Sequence, residues 1–252
     1  MPTTVRELFD RAGVKLAGAV RWGTPIALDR SGVYVIATTE DFDAREGLAT
    51  CPLASDSIAE LIRVRPELTI DGAAASPDSL ATRLRAMWLA EPVVYVGLAG
   101  TNTGHRVQQF YRTRIGARAP HAGGWPLKML ETRLLWVHYG ATSKSGAAER
   151  EMVDQFAESV PEEVRRSLID PSAPIPYANL TYPGGRRKAH GISGAREPRT
   201  IATASRSPGD AGPSEPFAIV GSYGRRVPKE DHGTCPECFT NFTATGACAC
   251  SG

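Results

Sequence analysis

The chain has 252 residues, a hydrophobic content of 42% and a formal net charge of +2. This length accommodates one medium-sized domain with a small appendage, and the apolar content is enough for a substantial core. The sequence has no apolar run of about 18 residues and begins without the pattern of a secretion signal. We therefore expect a cytoplasmic protein that does not enter a membrane.

Charge is distributed unevenly along the chain. Residues 1–92 carry 10 Lys/Arg and 13 Asp/Glu, whereas residues 101–145 carry 7 Lys/Arg and one acid, Glu131. A basic segment of this kind favours an anionic partner, although a solvated basic surface has the same composition. The candidate DNA-binding side chains in and after this stretch are Arg112, Arg114, Arg118, His121 and Lys128.

The first third of the chain predicts a helix, a strand and a long excursion. Apolar residues within 5–9 have helical spacing, and residues 31–38 form a β-favouring run with Tyr34 in its middle. The excursion covers residues 41–91. It ends in an amphipathic helix predicted over 79–89, which is preceded by a capping serine and a proline suited to a first turn.

A strand, a turn with three glycines and a helix follow at residues 93–111. Tyr95 lies on the strand and Arg106 near the start of the helix, so the junction brings these two side chains close together. A helix start binds anions because its backbone N–H groups are unpaired and carry partial positive charge. The same pattern also occurs in α/β turns that bind nothing, and its glycine spacing does not match the dinucleotide-binding motif G-x-G-x-x-G.

The next segment predicts two helices and a strand. A helix is predicted to begin at 127–130, a strand over 134–139 and a second helix over 147–160. Glu149 lies on the apolar face of this second helix, where an acid costs desolvation energy unless a metal ion or an arginine pairs with it. An N-terminal acid favoured by the helix dipole is the alternative interpretation. Further on, Asn179 lies in a proline-flanked connection and is placed to hydrogen-bond backbone groups.

The C-terminal part differs in composition from the rest. Residues 183–216 are rich in Gly, Ser, Pro and Arg, which predicts a disordered linker with a basic start. Four thiols then fall in the module 217–252, at Cys235, Cys238, Cys248 and Cys250. Two closely spaced pairs are typical of a tetrahedral structural zinc site, with a redox pair or free thiols as the alternative. A module this short would depend on the metal for most of its folding energy.

Taken in order, five of these features resemble the GIY-YIG nuclease superfamily. They are Gly32-Val33-Tyr34, Tyr95-Val96-Gly97, Arg106, Glu149 and Asn179. The resemblance covers residues 28–182 and implies an α+β fold, in which a small central antiparallel sheet is flanked by helices. The nuclease-like domain would then span 1–182. The excursion at 41–91 is much longer than the usual connection and is similar to the restriction-endonuclease branch, where insertions contact DNA.

The resemblance also implies a division of labour among the residues. Tyr34 would contact or deprotonate the attacking water, Arg106 would bind the scissile phosphate, and Glu149 would hold one Mg²⁺ or Mn²⁺ ion. Tyr95 and Asn179 would position the water network and the loops. A tyrosine with an ordinary pKa of about 10 is a poor base at neutral pH, so a nearby cation would have to lower that pKa.

One feature departs from the family pattern. Some restriction members carry a histidine one turn after the arginine, and Phe110 occupies that place here. His105 and His121 are the two candidates to replace it.

The sequence therefore predicts a metal-dependent DNA endonuclease serving restriction, defence or repair. The alternative is a non-catalytic DNA-binding or regulatory protein that keeps the same sheet and basic surface. Because one active site cuts one strand, double-strand cleavage would require a homodimer or a second visit to the DNA.

Overall fold

The computed structural model describes residues 2–121, 123–183 and 185–198, which belong to one compact unit ending at Pro198. The helices are α1 (Val5–Arg11), α2 (Ser55–Val64), α3 (Pro77–Ala86), α4 (Thr103–Arg112), α5 (Ser145–Ser159) and α6 (Glu162–Ser167). The strands are β1 (Gly18–Arg21), β2 (Gly32–Ala37), β3 (Thr69–Ile70), β4 (Ala73–Ala74), β5 (Val93–Ala99), β6 (Trp136–Ala141) and β7 (Ile192–Ser193). Two 3₁₀ helices cover Trp125–Met129 and Thr132–Leu134. None of the helices in the described ranges is long and apolar enough to cross a membrane.

Four antiparallel strands form the central sheet, in the order β1-β6-β2-β5. The predicted α+β fold, with a small antiparallel sheet flanked by helices, is confirmed. Strand β2 is hydrogen-bonded on both sides, so that Tyr34 lies opposite Gly97 of β5 and Tyr139 of β6. Strand β5 is at the edge of the sheet.

Side chains of the central strands alternate between two apolar cores, as the two-residue period of a strand requires. Tyr34 and Ile36 enter one core, together with residues from α2, α3 and α4. Val33 and Val35 enter the other core, which α1 and α5 cover. The sheet is therefore buried on both faces, and the two motif tyrosines lie in the first core.

Several element boundaries differ from the sequence prediction. Helix α3 ends at Ala86 rather than residue 89, and strand β6 begins at Trp136 because a 3₁₀ helix occupies the residues just before it. The helix predicted to begin at 127–130 is the 3₁₀ helix Trp125–Met129. Strand β1 and helix α6 lack strong local patterns and were not predicted.

The excursion contributes two strands to a small second sheet, and the third strand, β7, comes from residues after 185. Strand β3 pairs with β4 on one side and with β7 on the other. Residues 185–198, which fall within the predicted linker, contribute β7 to this sheet and pack against the domain. In this tail, Ile192 and Ala195 are buried in the first core, and the Lys188 ammonium donates to the carbonyls of Ile175 (3.2 Å) and Pro176 (3.3 Å).

Residues 199–252 lie outside the part of the chain that the structure describes. The predicted zinc ligands Cys235, Cys238, Cys248 and Cys250 fall in this range, and so does most of the predicted linker.

Candidate active site

Tyr34 and Tyr95 lie side by side on neighbouring strands. Both side chains are buried, and their ring centroids are 6.0 Å apart. A Cβ atom at Gly97 would lie 2.6 Å from Tyr95 Cε1 and 2.7 Å from Tyr34 Cζ, far below contact distance. Only glycine at this position allows both rings to occupy the same face of the sheet, which explains the third residue of Tyr95-Val96-Gly97.

The Tyr34 hydroxyl is hydrogen-bonded to an imidazole. Tyr34 Oη lies 3.2 Å from His121 Nε2, and His121 Nδ1 lies 3.1 Å from the carbonyl oxygen of Gly123. A carbonyl only accepts, so Nδ1 carries the proton and Nε2 accepts from the Tyr34 hydroxyl. Burial, assisted by the charge of Arg106, lowers the pKa of His121 to about 3. The imidazole is therefore neutral and is a hydrogen-bond acceptor toward Tyr34.

His121 stacks on Phe110, the residue one turn after Arg106. The two rings are parallel, with centroids 4.1 Å apart and an interplanar angle of 2°. His105 lies elsewhere and contacts Gln109, with 3.0 Å between the side-chain nitrogens. Of the two candidate histidines, the structure therefore brings His121 to Tyr34.

Two glycines after His121 allow this loop to approach the tyrosines. Gly124 has a φ of 62°, and a Cβ there would lie 2.7 Å from Phe110 Cζ and 3.1 Å from Tyr95 Cε2. At Gly123, a Cβ would lie 3.4 Å from the Tyr95 hydroxyl oxygen. The sequence makes His121 a candidate for DNA binding and for the missing family histidine, but no local pattern in it predicts the contact with Tyr34.

Arg106 supplies positive charge to the same cluster from the first turns of α4. The helix begins at an Asn102 cap, whose side-chain oxygen accepts from the N–H of His105 at 2.7 Å. The Arg106 guanidinium donates to Gln109 Oε1 at 3.2 Å. Its charge lowers the pKa of both Tyr34 and Glu149, against the larger upward effect of burial on each. Arg106 is therefore close enough to act on both side chains.

Glu149 approaches the cluster from helix α5. Burial raises the pKa of this carboxyl to about 7, although Arg106 and Arg150 oppose the shift. Glu149 has no hydrogen bond or ion pair within the described ranges. The first turn of α5 contains no acidic residue, so Glu149 lies too far along the helix for the dipole alternative. Glu149 is therefore a desolvated carboxyl that lies near Arg106 and Arg150 without a direct ion pair to any described residue.

A single carboxylate of this kind fits a hard divalent cation. Within the described residues, no three His, Cys, Asp or Glu side chains cluster into a complete metal site. Mg²⁺ does not need such a cluster, because it is commonly held by one or two carboxylates and keeps waters and substrate phosphate oxygens as its other ligands. Glu149 together with a phosphate held by Arg106 meets that requirement.

Asn179 acts on the backbone of β5 rather than on the centre of the cluster. Its Oδ1 accepts from the N–H of Val96 at 2.9 Å, and its Nδ2 donates to the carbonyl of Val96 at 2.8 Å. The N–H of Ala178 also donates to the carbonyl of Val94 at 2.9 Å. Both polar atoms of Asn179 are therefore engaged. The geometry makes Asn179 a positioning residue for the strand that carries Tyr95, and its predicted catalytic role stays a prediction.

The arginines predicted to bind DNA fall into two groups. Arg112 and Arg114 are exposed to solvent. Arg118 is half-buried, and its Nε donates to the carbonyl of Glu197 at 2.8 Å, so it ties the basic loop to the tail. Of these three, Arg112 and Arg114 are the better placed to meet an external anion.

Lys128 and His121 are both engaged within the fold. Lys128 is half-buried, and its ammonium donates to the carbonyls of Tyr111, at 3.4 Å, and Thr113 at the end of α4. Burial lowers the pKa of Lys128 to about 8. His121 is only 3% exposed. Both side chains are thus engaged within the fold, and their predicted contact with DNA stays a prediction.

The chain matches no family model, and no curated protein or solved structure matches it. The chemistry of the site therefore rests on its geometry. The cluster combines a hydroxyl bonded to a neutral imidazole, a guanidinium and a desolvated carboxylate. These are the groups needed to bind a phosphate, hold a hard cation and move a proton from a water molecule.

Proposed function

We propose that the protein is a metal-dependent DNA endonuclease of the GIY-YIG type, which hydrolyses phosphodiester bonds with Mg²⁺ or Mn²⁺. The observation that carries the proposal is the convergence of Tyr34, Arg106 and Glu149, three residues from different elements, together with the His121 acceptor at Tyr34. The basic segment that contains Arg106 supports an anionic substrate.

Arg106 binds the scissile phosphate. A guanidinium offers paired donors that match phosphate oxygens, and its charge compensates the charge that grows on those oxygens as the water attacks. The bond from Arg106 to Gln109 Oε1 limits the freedom of the side chain before substrate arrives. Little reorganisation is then required when the phosphate binds.

Glu149 holds the divalent cation. The ion, when bound, neutralises charge on the phosphate and stabilises the departing oxygen. The carboxylate must be ionised for this role, and its raised pKa of about 7 in the metal-free protein disfavours ionisation. Cation binding and deprotonation of Glu149 are therefore linked, and cleavage requires a pH at which the proton is released.

Tyr34 and His121 handle the proton of the attacking water. Burial raises the pKa of Tyr34 well above its ordinary value, so the phenol does not act as a preformed phenolate. The Tyr34 hydroxyl donates to His121 Nε2, so the phenol oxygen can accept from the water. As the water oxygen bonds to phosphorus, the bond from phosphorus to the departing oxygen breaks. Tyr34 accepts the water proton and passes its own to His121, and the departing oxygen takes a proton from solvent. Pairing of Arg106 with the phosphate reduces one of the influences that lower the pKa of His121.

The proposal includes a structural Zn²⁺ held by Cys235, Cys238, Cys248 and Cys250. Its basis is the spacing of the four thiols, which suits tetrahedral sulfur ligation. One Zn²⁺ per chain in the purified protein, lost when the cysteines are replaced by serine, is the expected result.

Cleavage of plasmid DNA by Glu149→Gln and Arg106→Ala tests the proposed activity. We expect either variant to reduce the rate in Mg²⁺ by about a thousandfold or more, since each removes charge stabilisation of the transition state. Glu151→Gln is the matched control, because Glu151 is an exposed acid on the same helix and pairs with Arg11. Full activity of both site variants would contradict the proposed function, and DNA binding without any cleavage by the unmodified protein would favour the non-catalytic alternative.

The stability of Glu149→Gln tests the metal assignment separately. The folded-state pKa of Glu149, about 7, lies above its ordinary value of 4.5. Its stabilising contribution is thus complete below about pH 4.5 and is lost as the pH rises through 7. At about pH 8 without metal, Glu149→Gln should therefore unfold at a higher temperature than the unmodified protein. Mg²⁺ should raise the unfolding temperature of the unmodified protein only. An equal response in both proteins would show that Glu149 does not hold the ion.

A further inference from the structure

An open groove runs along one face of α4, the helix that also carries Arg106. One wall is the segment 25–29, and the other is the helix face that presents His105, Gln108 and Arg112. These three residues recur at helical spacing, so they point to the same side. The proposed catalytic steps use none of them.

One wall of the groove is held to the start of α4. The N–H of Gly104 donates to the carbonyl of Leu28 at 2.8 Å, and the N–H of Thr103 donates to that of Arg30 at 3.0 Å. A Cβ at Gly104 would lie 2.2 Å from the carbonyl oxygen of Ile26. The segment 25–29 therefore packs directly against the start of α4.

A chain of hydrogen bonds connects the groove to the phosphate-binding arginine. Arg106 donates to Gln109 Oε1, which leaves the amide nitrogen of Gln109 as the donor toward His105 Nε2, 3.0 Å away. His105 lines the groove. These hydrogen bonds place the groove wall next to Arg106, because only Gln109 separates the arginine from His105.

The lining chemistry suits a nucleotide. Gln108 and Arg112 have no hydrogen bond or ion pair within the described ranges, although Gln108 is half-buried. The opposite wall offers the exposed apolar residues Pro25 and Ala27, and its acid Asp29 is an acceptor for an exocyclic amino group. An amide pairs with the edge of a base, and a guanidinium pairs with a phosphate.

We infer that this groove binds the DNA nucleotides flanking the scissile phosphate, with Gln108 reading a base edge and Arg112 contacting a backbone phosphate. The inference rests on the proposed function, since it takes the position of the scissile phosphate from Arg106. In this arrangement, Gln108 determines which base is preferred at one position beside the cleaved bond.

Equilibrium binding tests the groove without requiring cleavage. The probe is a random-sequence DNA duplex, and the protein carries Glu149→Gln so that it does not cut. Adding Arg112→Gln should weaken binding equally for different sequences and reduce the slope of log K against log salt by about one. Arg11→Gln is the matched control, because Arg11 is an exposed arginine in the last turn of a helix that covers the other core. Equal slopes for the Arg112 and Arg11 variants would overturn the inference.

Mapping of cut ends tests the base contact. On plasmid DNA, Gln108→Ala should lower the discrimination at one position beside the cut by about tenfold, and Gln108→Asn should restore part of it. Unchanged cut-site preference in Gln108→Ala would overturn the reading role. The two proposals fail separately. If the unmodified protein does not cut DNA but Arg112→Gln still reduces the salt slope, the nuclease function is wrong and the groove remains a DNA-binding surface.

Discussion

The two strands that carry the motif tyrosines are held in place by different means. Strand β2, with Tyr34, is paired along its length with β5 on one side and β6 on the other. Strand β5, with Tyr95, has a strand partner on one side only. An edge strand has unpaired backbone groups and is less constrained than a central one.

Side-chain bonds replace the missing strand partner of β5. Asn179 binds both the N–H and the carbonyl of Val96, as a neighbouring strand would. Tyr95 also packs edge-on against Phe110, with ring centroids 5.6 Å apart. The central strand thus presents a hydroxyl with a defined acceptor, and the edge strand depends on a clamp from a loop far along the chain. Substitutions on β2 should affect chemistry first, and substitutions around β5 should affect stability first.

Removal of the two hydroxyl groups gives the largest expected difference between the strands. Tyr34→Phe eliminates the group bonded to His121 and should lower the single-turnover cleavage rate by about 10²- to 10⁴-fold, the usual contribution of a positioned acid or base. Tyr95→Phe should lower it much less. His121→Gln, which keeps an acceptor, should retain more activity than His121→Phe. Equal losses for Tyr34→Phe and Tyr95→Phe would remove the distinction between the strands.

Gly97→Ala tests the requirement that both tyrosines share one face. The added methyl would meet both rings at less than 3 Å, so the rings or the strand must shift. Overpacking of this kind costs about 1–3 kcal/mol in the free energy of unfolding, which urea titration measures. Gly100→Ala is the matched control, since a Cβ there meets no atom within 4 Å. Equal stability of the two variants would show that the tyrosines have room to adjust.

Local patterns were enough to predict the framework of the site. The alternation of the two strands placed Tyr34 and Tyr95 in a sheet, and helical spacing placed Glu149 on the buried face of α5, because both signals depend on near neighbours in sequence. His121 illustrates the limit. Its contact with Tyr34 joins residues 87 positions apart through a loop without a repeating pattern, and no local signal specifies such a contact.

The tail shows a second limit of composition. Residues 185–198 resemble a linker because Gly and Arg are frequent, and their one strand has only two residues. The tail is ordered by distant partners instead: β7 pairs with β3, and the N–H of Glu197 donates to the carbonyl of Gly116 at 2.8 Å. Averaged polarity does not detect a few buried residues such as Ile192.

Asn179→Ala should affect cleavage much less than Tyr34→Phe does, and it isolates the clamp on β5. The substitution leaves the N–H and the carbonyl of Val96 without their side-chain partner, at a buried position, and should cost about 2 kcal/mol in the free energy of unfolding. The amide of Val96 should exchange faster with solvent deuterium, while the amides of β2 remain protected by their pairing on both sides. If Asn179 only supports β5, the loss in cleavage rate should be in proportion to the loss of amide protection in β5. If Asn179→Ala abolished cleavage with no loss of stability or protection, Asn179 would have to act on the substrate, and the support for β5 would come from elsewhere in the chain.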